Sequence, residues 1–278
     1  MRGVVFTYHS QNCGGYSYSS NDHLAFEKDL SAVEKYGLPI ISLQEIAANI
    51  SSGTGEGLPP RFVAFSCDDG SLLDWHDYHH PEFGIQRSFA NLLREHLARY
   101  DKKADSLLTS FVIASAAARE AIDIGCYRGE PLSDDSWWLQ AATEGLVSVQ
   151  NHSWDHVHAV LPVPLIKHGE AENFYSVDDF TKAEAQVRLA SEEIDRILAP
   201  SGHRVTLFAY PYGHVSPYLA NEYFPRYYPE HGVLAAFTTQ QKFIDESSKP
   251  YSLPRMVCGD AWCSEKQFDD ILKQLISD

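Results

Sequence analysis

The chain has 278 residues, 44% of them hydrophobic, and a formal net charge of −16 at pH 7. Length and apolar share are enough for a sizeable core, and single α/β barrels reach this size, so one domain over 1–278 is expected. The acidic excess repels nucleic acid and anionic lipid, which excludes both as bulk partners and is read as a solvated surface.

The first apolar run, VVFTY at 4–8, is too short for the apolar core of a signal peptide and for a bilayer span, and no later run approaches a span. A cytoplasmic location is expected on that basis. Residues 3–8, rich in Val and aromatics, predict a strand. Leu24, Leu30 and Val33 recur near the spacing of a turn and predict a helix over 22–36, stopped at Gly37. A short strand at 39–42 and a helix at 43–50 follow, and the Gly-, Ser- and Pro-rich 51–60 reads as a loop. Residues 61–65 predict a buried strand, and 68–83 is too polar and irregular for an element. A helix is expected over 86–100, a strand over 108–114, helical stretches at 116–122 and 136–144, and a strand at 146–150. A long helix fits 177–198, with Asp178 and Asp179 at its positive end. Strands at 205–210, 233–237 and 252–257 and a helix at 265–276 complete the chain. Alternating strands and helices argue for a parallel α/β architecture, either a barrel or a doubly wound sheet. The five cysteines (Cys13, Cys67, Cys126, Cys258, Cys263) are scattered and odd in number, which reads as reduced thiols.

The polar chemistry falls at strand ends. His9, the pair Asp68-Asp69, His152 and Tyr212 each follow a predicted strand, and strand C-termini of a parallel barrel share the face where active sites sit. In Phe65-Ser66-Cys67-Asp68-Asp69-Gly70, two adjacent carboxylates raise one another's pKa unless a cation intervenes. A metal ion would satisfy one and leave the other to move protons; the bland alternative is a common Asp-Gly turn. In Asn151-His152-Ser153-Trp154-Asp155-His156, two His four residues apart face one way on a helical turn and suit one metal. With an Asp they make a facial set that leaves positions open for water and substrate. The turn Phe208-Ala209-Tyr210-Pro211-Tyr212-Gly213-His214 can present backbone N–H groups to a developing oxyanion, or be a plain turn.

These three motifs, in this order and over 4–257, resemble the polysaccharide deacetylase family (carbohydrate esterase family 4, the NodB-homology domain). The second and third motifs match closely; the first has Ser66-Cys67 where the family has Thr-Phe. The resemblance implies a distorted parallel (β/α) barrel of seven or eight strands and metal-dependent removal of an acetyl group from an N-acetylated sugar or surface-glycan precursor. It implies one divalent metal on Asp69, His152 and His156, with zinc expected and Co, Ni, Mn or Fe also fitting. It casts Asp68 as general base and the Tyr212 backbone N–H as an oxyanion donor.

Two departures stand out. Ala209 occupies the place of the family's base-orienting Arg, and no His follows His231 to serve as the family's late general acid. Both gaps resemble the branch with poly-N-acetylglucosamine deacetylases, in which a His after the first strand serves as acid; His9 fits that role. Arg255 is the candidate for the missing Arg, against a surface or capping role. Pro211 is counted with the substrate-binding turn. Trp75, Trp154 and Trp262 are candidates to stack on sugar rings, with core packing as the alternative. Asp260-Ala261-Trp262 weakly resembles the family's acetyl-pocket motif. His76, His79 and His80 read as a loop at the cleft rim rather than a second metal site. The rival functions are a metal-dependent amidohydrolase on a small non-sugar amide, a catalytically inactive carbohydrate-binding protein, and a Cys67-nucleophile hydrolase with His152 as base. Nothing in the sequence signals an oligomeric state.

Overall fold

The computed structural model describes residues 1–53, 57–100, 106–161 and 173–277. Within the predicted 51–60 loop, 54–56 lie outside the described residues. Ten strands form among the described residues: β1 (Arg2–Tyr8), β2 (Arg61–Cys67), β3 (Tyr78–His80), β4 (Gly84–Gln86), β5 (Leu108–Val112), β6 (Val147–Asn151), β7 (Leu207–Ala209), β8 (Ala235–Phe237), β9 (Ile244–Asp245) and β10 (Met256–Val257). Seven of them make one curled parallel sheet in the order β10-β1-β2-β5-β6-β7-β8. β1 and β2 are buried on both faces after their first residue, which explains why they read as unbroken apolar runs rather than alternating ones. β9 adds antiparallel to β1 at Arg2 and Gly3.

A short segment joins the two edges of the sheet. Leu253 N–H donates to Ala236 O at 2.9 Å and Thr238 N–H to Leu253 O at 2.8 Å, bridging β8 to the stretch that enters β10. β10 in turn pairs with β1. The expected distorted barrel is therefore present, with seven parallel strands.

The helices lie outside the sheet, and serine or asparagine caps set the starts of the first four. α1 (Asp22–Lys35) is capped by Asn21, α2 (Leu43–Ser52) by Ser42, α3 (Phe89–Arg99) by Ser88 and α4 (Ala116–Cys126) by Ser115, each side chain accepting from a first-turn N–H. The cap at Ser88 corrects the expected start of the 86–100 helix. The residues before it, β4, pair instead with β3 in a hairpin within and beside a stretch read as lacking any element.

Other expectations shorten. The 39–42 strand reduces to one bridge between Ile40 and Val63, because β5 takes that flank of β2 from Phe65 onward. The 252–257 strand becomes a 3-10 turn, Pro250–Ser252, and the two-residue β10. The long helix at 177–198 begins at Phe180 and contains one wide π turn, Glu184–Arg188, between Phe180–Ala183 and Leu189–Leu198. No helix among the described residues is long and apolar enough to cross a membrane.

The turn after β2 is tightly specified. Gly70 sits at φ 69°, and a Cβ there would lie 2.7 Å from the Val112 side chain and 3.0 Å from its Cα. Gly70→Ala should therefore destabilise the fold by roughly 3 kcal/mol, combining overpacking with left-handed strain. Urea unfolding measures this, and an unchanged midpoint would contradict it.

Candidate active site

β2 ends at Cys67 and delivers two carboxylates in opposite surroundings. Asp68 is buried and held by a bidentate pair from Arg255, Nη1 to Oδ1 at 2.6 Å and Nη2 to Oδ2 at 2.8 Å. Burial alone would raise the Asp68 carboxyl; the charges of Arg255 and His152 overcome it and hold the group well below the ordinary carboxylate range. Arg255 is fully buried, with Nε donating to Thr238 O at 3.3 Å, Nη1 to Ser66 Oγ at 3.2 Å, and the guanidinium 5.1 Å from the centre of the Phe111 ring. The barrel-closing bridge at Leu253 and Thr238 thus aims the guanidinium two residues further on.

Asp69 follows in the left-handed region at φ 72°, a conformation that a non-glycine residue holds at some cost. That turn carries its carboxylate away from Asp68 toward two imidazoles. Asp69 Oδ1 lies 3.6 Å from His152 Nε2 and 3.5 Å from His156 Nε2. One ligand atom from each residue falls within 4.8 Å of the others, the one such His/Cys/Asp/Glu group among the described residues. His152 Nδ1 donates to Ala209 O at 2.9 Å, which turns Nε2 toward the cluster. Burial and neighbouring His152 keep His156 neutral, its pKa held down to about 3 despite Asp69. Two ring nitrogens and a carboxylate oxygen converging in this array are the donor set that a metal ion requires, so these residues fit one.

The loop that presents the histidines is not the helical turn their spacing suggests. Ser153, His156 and Val157 have φ of 76°, 64° and 47°, and residues 152–158 form no helix. Short polar turns replace it. Asn151 Oδ1 accepts from Ser153 N–H at 2.6 Å, Ser153 Oγ from His156 N–H at 2.9 Å, and Asp155 Oδ1 from Val157 N–H at 2.9 Å. The π turn behind them braces the loop: Asn151 Nδ2 donates to Val187 O at 2.9 Å, and Gln186 bonds Trp154 N–H and Asp155 Oδ1 at 3.2 and 2.8 Å.

A cavity of about 380 Å³ opens on this cluster, lined by His9, Asp68, Asp69, His152, His156, His158, Tyr212, Gly213, Thr239, Val257 and Asp260. His9 follows β1, its N–H donates to Asp22 Oδ2 at 2.8 Å, and its ring acts electrostatically on both aspartates. Tyr212 is held at φ 56°, and the carbonyls of Tyr210 and Pro211 flanking its peptide accept from Gly213 and His214 N–H. Its ring lies edge-on to His156 at 4.4 Å.

The other candidates fall elsewhere. Trp262 is 1% exposed and packed on Phe6, Tyr8 and Phe268, with Nε1 donating to Tyr18 OH and Asp29, so it has no face free for a sugar. Trp75 is buried against Trp137, and Trp154 packs against the main core outside the cavity lining. Pro211 is buried and shapes the turn rather than lining the cavity. His79 and His80 belong to the β3–β4 hairpin, and neither they nor His76 line the cavity. Cys67 is fully buried, and desolvation together with Asp74 pushes its thiol pKa well up, which removes the thiolate a cysteine nucleophile needs. All five thiols are free.

Sequence reading missed Gln11. Its Nε2 donates to Asp69 Oδ2 at 2.8 Å and the side chain also meets the Tyr127 hydroxyl, fixing the carboxylate from the side away from the histidines. Only its nearness to His9 in the chain could have marked it. Asp22, whose carboxyl burial raises to about 6, was likewise read only as the start of a helix.

A family model described as polysaccharide deacetylase matches residues 57–224, more than half of the chain. The fold is similar to that of IcaB from Ammonifex degensii, at 19% identity and a TM-score of 0.63, covering 99% of this chain and 97% of that one. It is also similar to a putative polysaccharide deacetylase, BA0330 from Bacillus anthracis, at 16% identity and 0.62, covering 97% and 68%. The Streptococcus pyogenes deacetylase PplD, determined with acetate, aligns at 15% identity and 0.57, covering 100% and 99%. No curated protein sequence matches the chain.

The Gln11 contact yields a test by metal affinity. Gln11→Ala should weaken metal binding by roughly 10- to 100-fold, the usual effect of losing a partner that orients a ligand. Competition with a chromophoric chelator reads this directly, and an unchanged affinity would show that the contact is incidental.

Proposed function

We propose, for a chain that belongs to the polysaccharide deacetylase family, that it hydrolyses the acetamide of an N-acetylated sugar with the help of one divalent metal ion. Deacetylation of a glycan is the reaction class that family membership gives. The observation that carries the finer reading is the division of labour between adjacent aspartates: Asp68 is paired with Arg255 and Asp69 faces two imidazole nitrogens. The two-imidazole, one-carboxylate set of Asp69, His152 and His156 suits zinc, and also Co, Ni, Mn or Fe, and such an ion when bound would supply Lewis acidity to a water and to the acetyl carbonyl.

The chain's own groups then divide the proton transfers. Asp68, kept ionised by Arg255, accepts a proton from the water as its oxygen bonds to the carbonyl carbon. Arg255 occupies both carboxylate oxygens in a fixed plane, so the base is oriented while it waits. The Tyr212 N–H, set by the strained turn, donates to the oxygen on which negative charge develops. As the C–N bond breaks, His9 gives its proton to the departing amine, and acetate and a free amino sugar result. His9 lies on the same cavity wall set as Asp68 but is held by a different strand, so acid and base reach the substrate from separate supports.

Two substitutions separate base from ligand. Asp68→Asn should retain metal and lose most turnover, whereas Asp69→Asn should lose metal affinity itself. Near-normal rates for Asp68→Asn at neutral pH would refute its assignment. His9→Ala should cost roughly two to four orders of magnitude on an amide. It should cost much less on an activated acetyl ester, whose leaving group needs no proton; equal losses on both substrates would reduce His9 to a positioning role.

A further inference from the structure

Asp74 is a fully buried carboxyl group for which the chemistry above has no use. It ends the short turn Leu72–Asp74, which follows the Asp68-Asp69 pair and is capped by Ser71 Oγ accepting from Leu73 N–H at 3.2 Å. Each of its oxygens is bonded from a different strand. Ser10 Oγ, two residues past β1, donates to Oδ1 at 2.5 Å, and Ser110 Oγ, on β5, donates to Oδ2 at 2.6 Å. The Cys67 thiol at the end of β2 also adjoins the carboxyl. Cys67 stands where the family has Phe, and its small side chain leaves room for Asp74. Burying a carboxyl carries a cost that hydrogen bonds only partly return, and burial pushes this one up to about 7.

Ser10 lies between His9, which lines the cavity, and Gln11, which bonds Asp69. The start of α1 holds this loop from one side. His9 N–H donates to Asp22 Oδ2 at 2.8 Å, Asp22 N–H to Asn12 O at 2.7 Å, and His23 Nε2 to Ser10 O at 2.6 Å. His23 is itself buried and stacked on Phe89 at 4.5 Å. These bonds fix the loop to an outer helix, and none of them refers it to the turn that carries Asp68 and Asp69. The Ser10–Asp74 bond does, because Asp74 belongs to that turn and is braced from β5 through its other oxygen. The side chains at positions 9 and 11 are thus tied to the carboxylates they serve through the residue between them.

We propose that Asp74 is a positioning residue, acting through Ser10, that holds the loop bearing His9 and Gln11 in register with the Asp68-Asp69 turn. The proposal rests on the deacetylase reading above for what His9 does, whereas the part that concerns Gln11 needs only a bound metal ion. Asp74 does not line the cavity, so its effect is on geometry. A displacement of ~1 Å in a group that must hand over a proton costs on the order of 100-fold in rate. Loss of Asp74 should therefore leave two signatures together, a protonation defect through His9 and a weakened metal site through Gln11. A residue that merely supports the barrel would slow every substrate alike. An amide at position 74 keeps the shape and the uncharged form that burial favours, with its oxygen accepting from one serine and its nitrogen donating to the other.

The test uses Asp74→Ala, Asp74→Asn and Ser10→Ala in the full chain, loaded with zinc. Acetate release from an N-acetylglucosamine pentamer is compared with hydrolysis of para-nitrophenyl acetate, whose leaving group needs no proton. Zinc affinity is read by chelator competition. Asp74→Ala should lower kcat on the amide roughly 10- to 100-fold with KM little changed, and should alter the ester rate only a few-fold. It should also weaken zinc binding roughly ten-fold, as loss of support for a ligand's partner does. Ser10→Ala cuts the same link with Asp74 in place and should reproduce both effects, which keeps the test open if Asp74→Ala does not fold. Asp74→Asn should restore both. Equal losses on amide and ester, or a zinc affinity left at that of the unaltered chain, would overturn the proposal. No acetate release by the unaltered chain, together with a loss of zinc affinity that Asp74→Asn restores, would retain the tether and defeat the deacetylase reading. Acetate release by the unaltered chain, with no amide–ester difference and no change in zinc affinity among the variants, would do the reverse.

Discussion

Two negative charges on neighbouring residues at the end of one buried strand set the terms for the rest of this molecule. Asp68 and Asp69 cannot both stay ionised in a desolvated pocket unless each has its own positive or proton-donating partner. The backbone resolves the conflict by turning through the left-handed region at Asp69 and Gly70, which sends the two carboxylates in different directions. One meets a guanidinium; the other accepts from the Gln11 amide and lies beside two imidazole nitrogens. A glycine is forced at position 70 because Val112 on the next strand leaves no room for a side chain.

The guanidinium that serves Asp68 comes from the residue just before the last strand, 187 residues away in sequence. Its position depends on closing the curled sheet, since the bridge between Phe237 and Leu253 and the Thr238 carbonyl fix the backbone around Arg255. Fold closure and the ionisation of the Asp68 carboxylate are therefore one structural event. Loss of Arg255 would leave a buried carboxylate without a counter-charge, which is among the costlier changes a protein can suffer. The placement also accounts for Ala209 at the position where the motif resemblance leads one to look for an arginine: the charge arrives from a different strand, and the Ala209 carbonyl is used instead to orient His152.

The histidine loop shows how polar side chains can substitute for regular structure. A helix would align His152 and His156 by its period. Here Asn151, Ser153 and Asp155 each fold the backbone onto their own oxygen atoms, and three left-handed residues result. Such a loop would be soft in isolation. The π turn at Glu184–Arg188 stiffens it, because Gln186 and the Val187 carbonyl bond into the loop from the adjoining helix.

The sequence by itself determined the fold class, the positions of most strands and helices, and the grouping of His9, Asp68, Asp69, His152 and Tyr212 on one face. Those features are local: an apolar run specifies a buried strand, a serine specifies a helix start, and a parallel sheet places every strand end on the same side. Arg255 was nominated from the motif gap, but only the tertiary structure set it against Asp68, because a contact between the second strand and the last depends on how the sheet curls. Gln11 was marked in the sequence by nothing but its nearness to His9, since a glutamine in a loop has no periodicity of its own. The tryptophans were ambiguous for the opposite reason. An indole suits a sugar face and a core equally well, and burial, which only packing decides, put Trp75 and Trp262 inside and left Tyr212 at the surface.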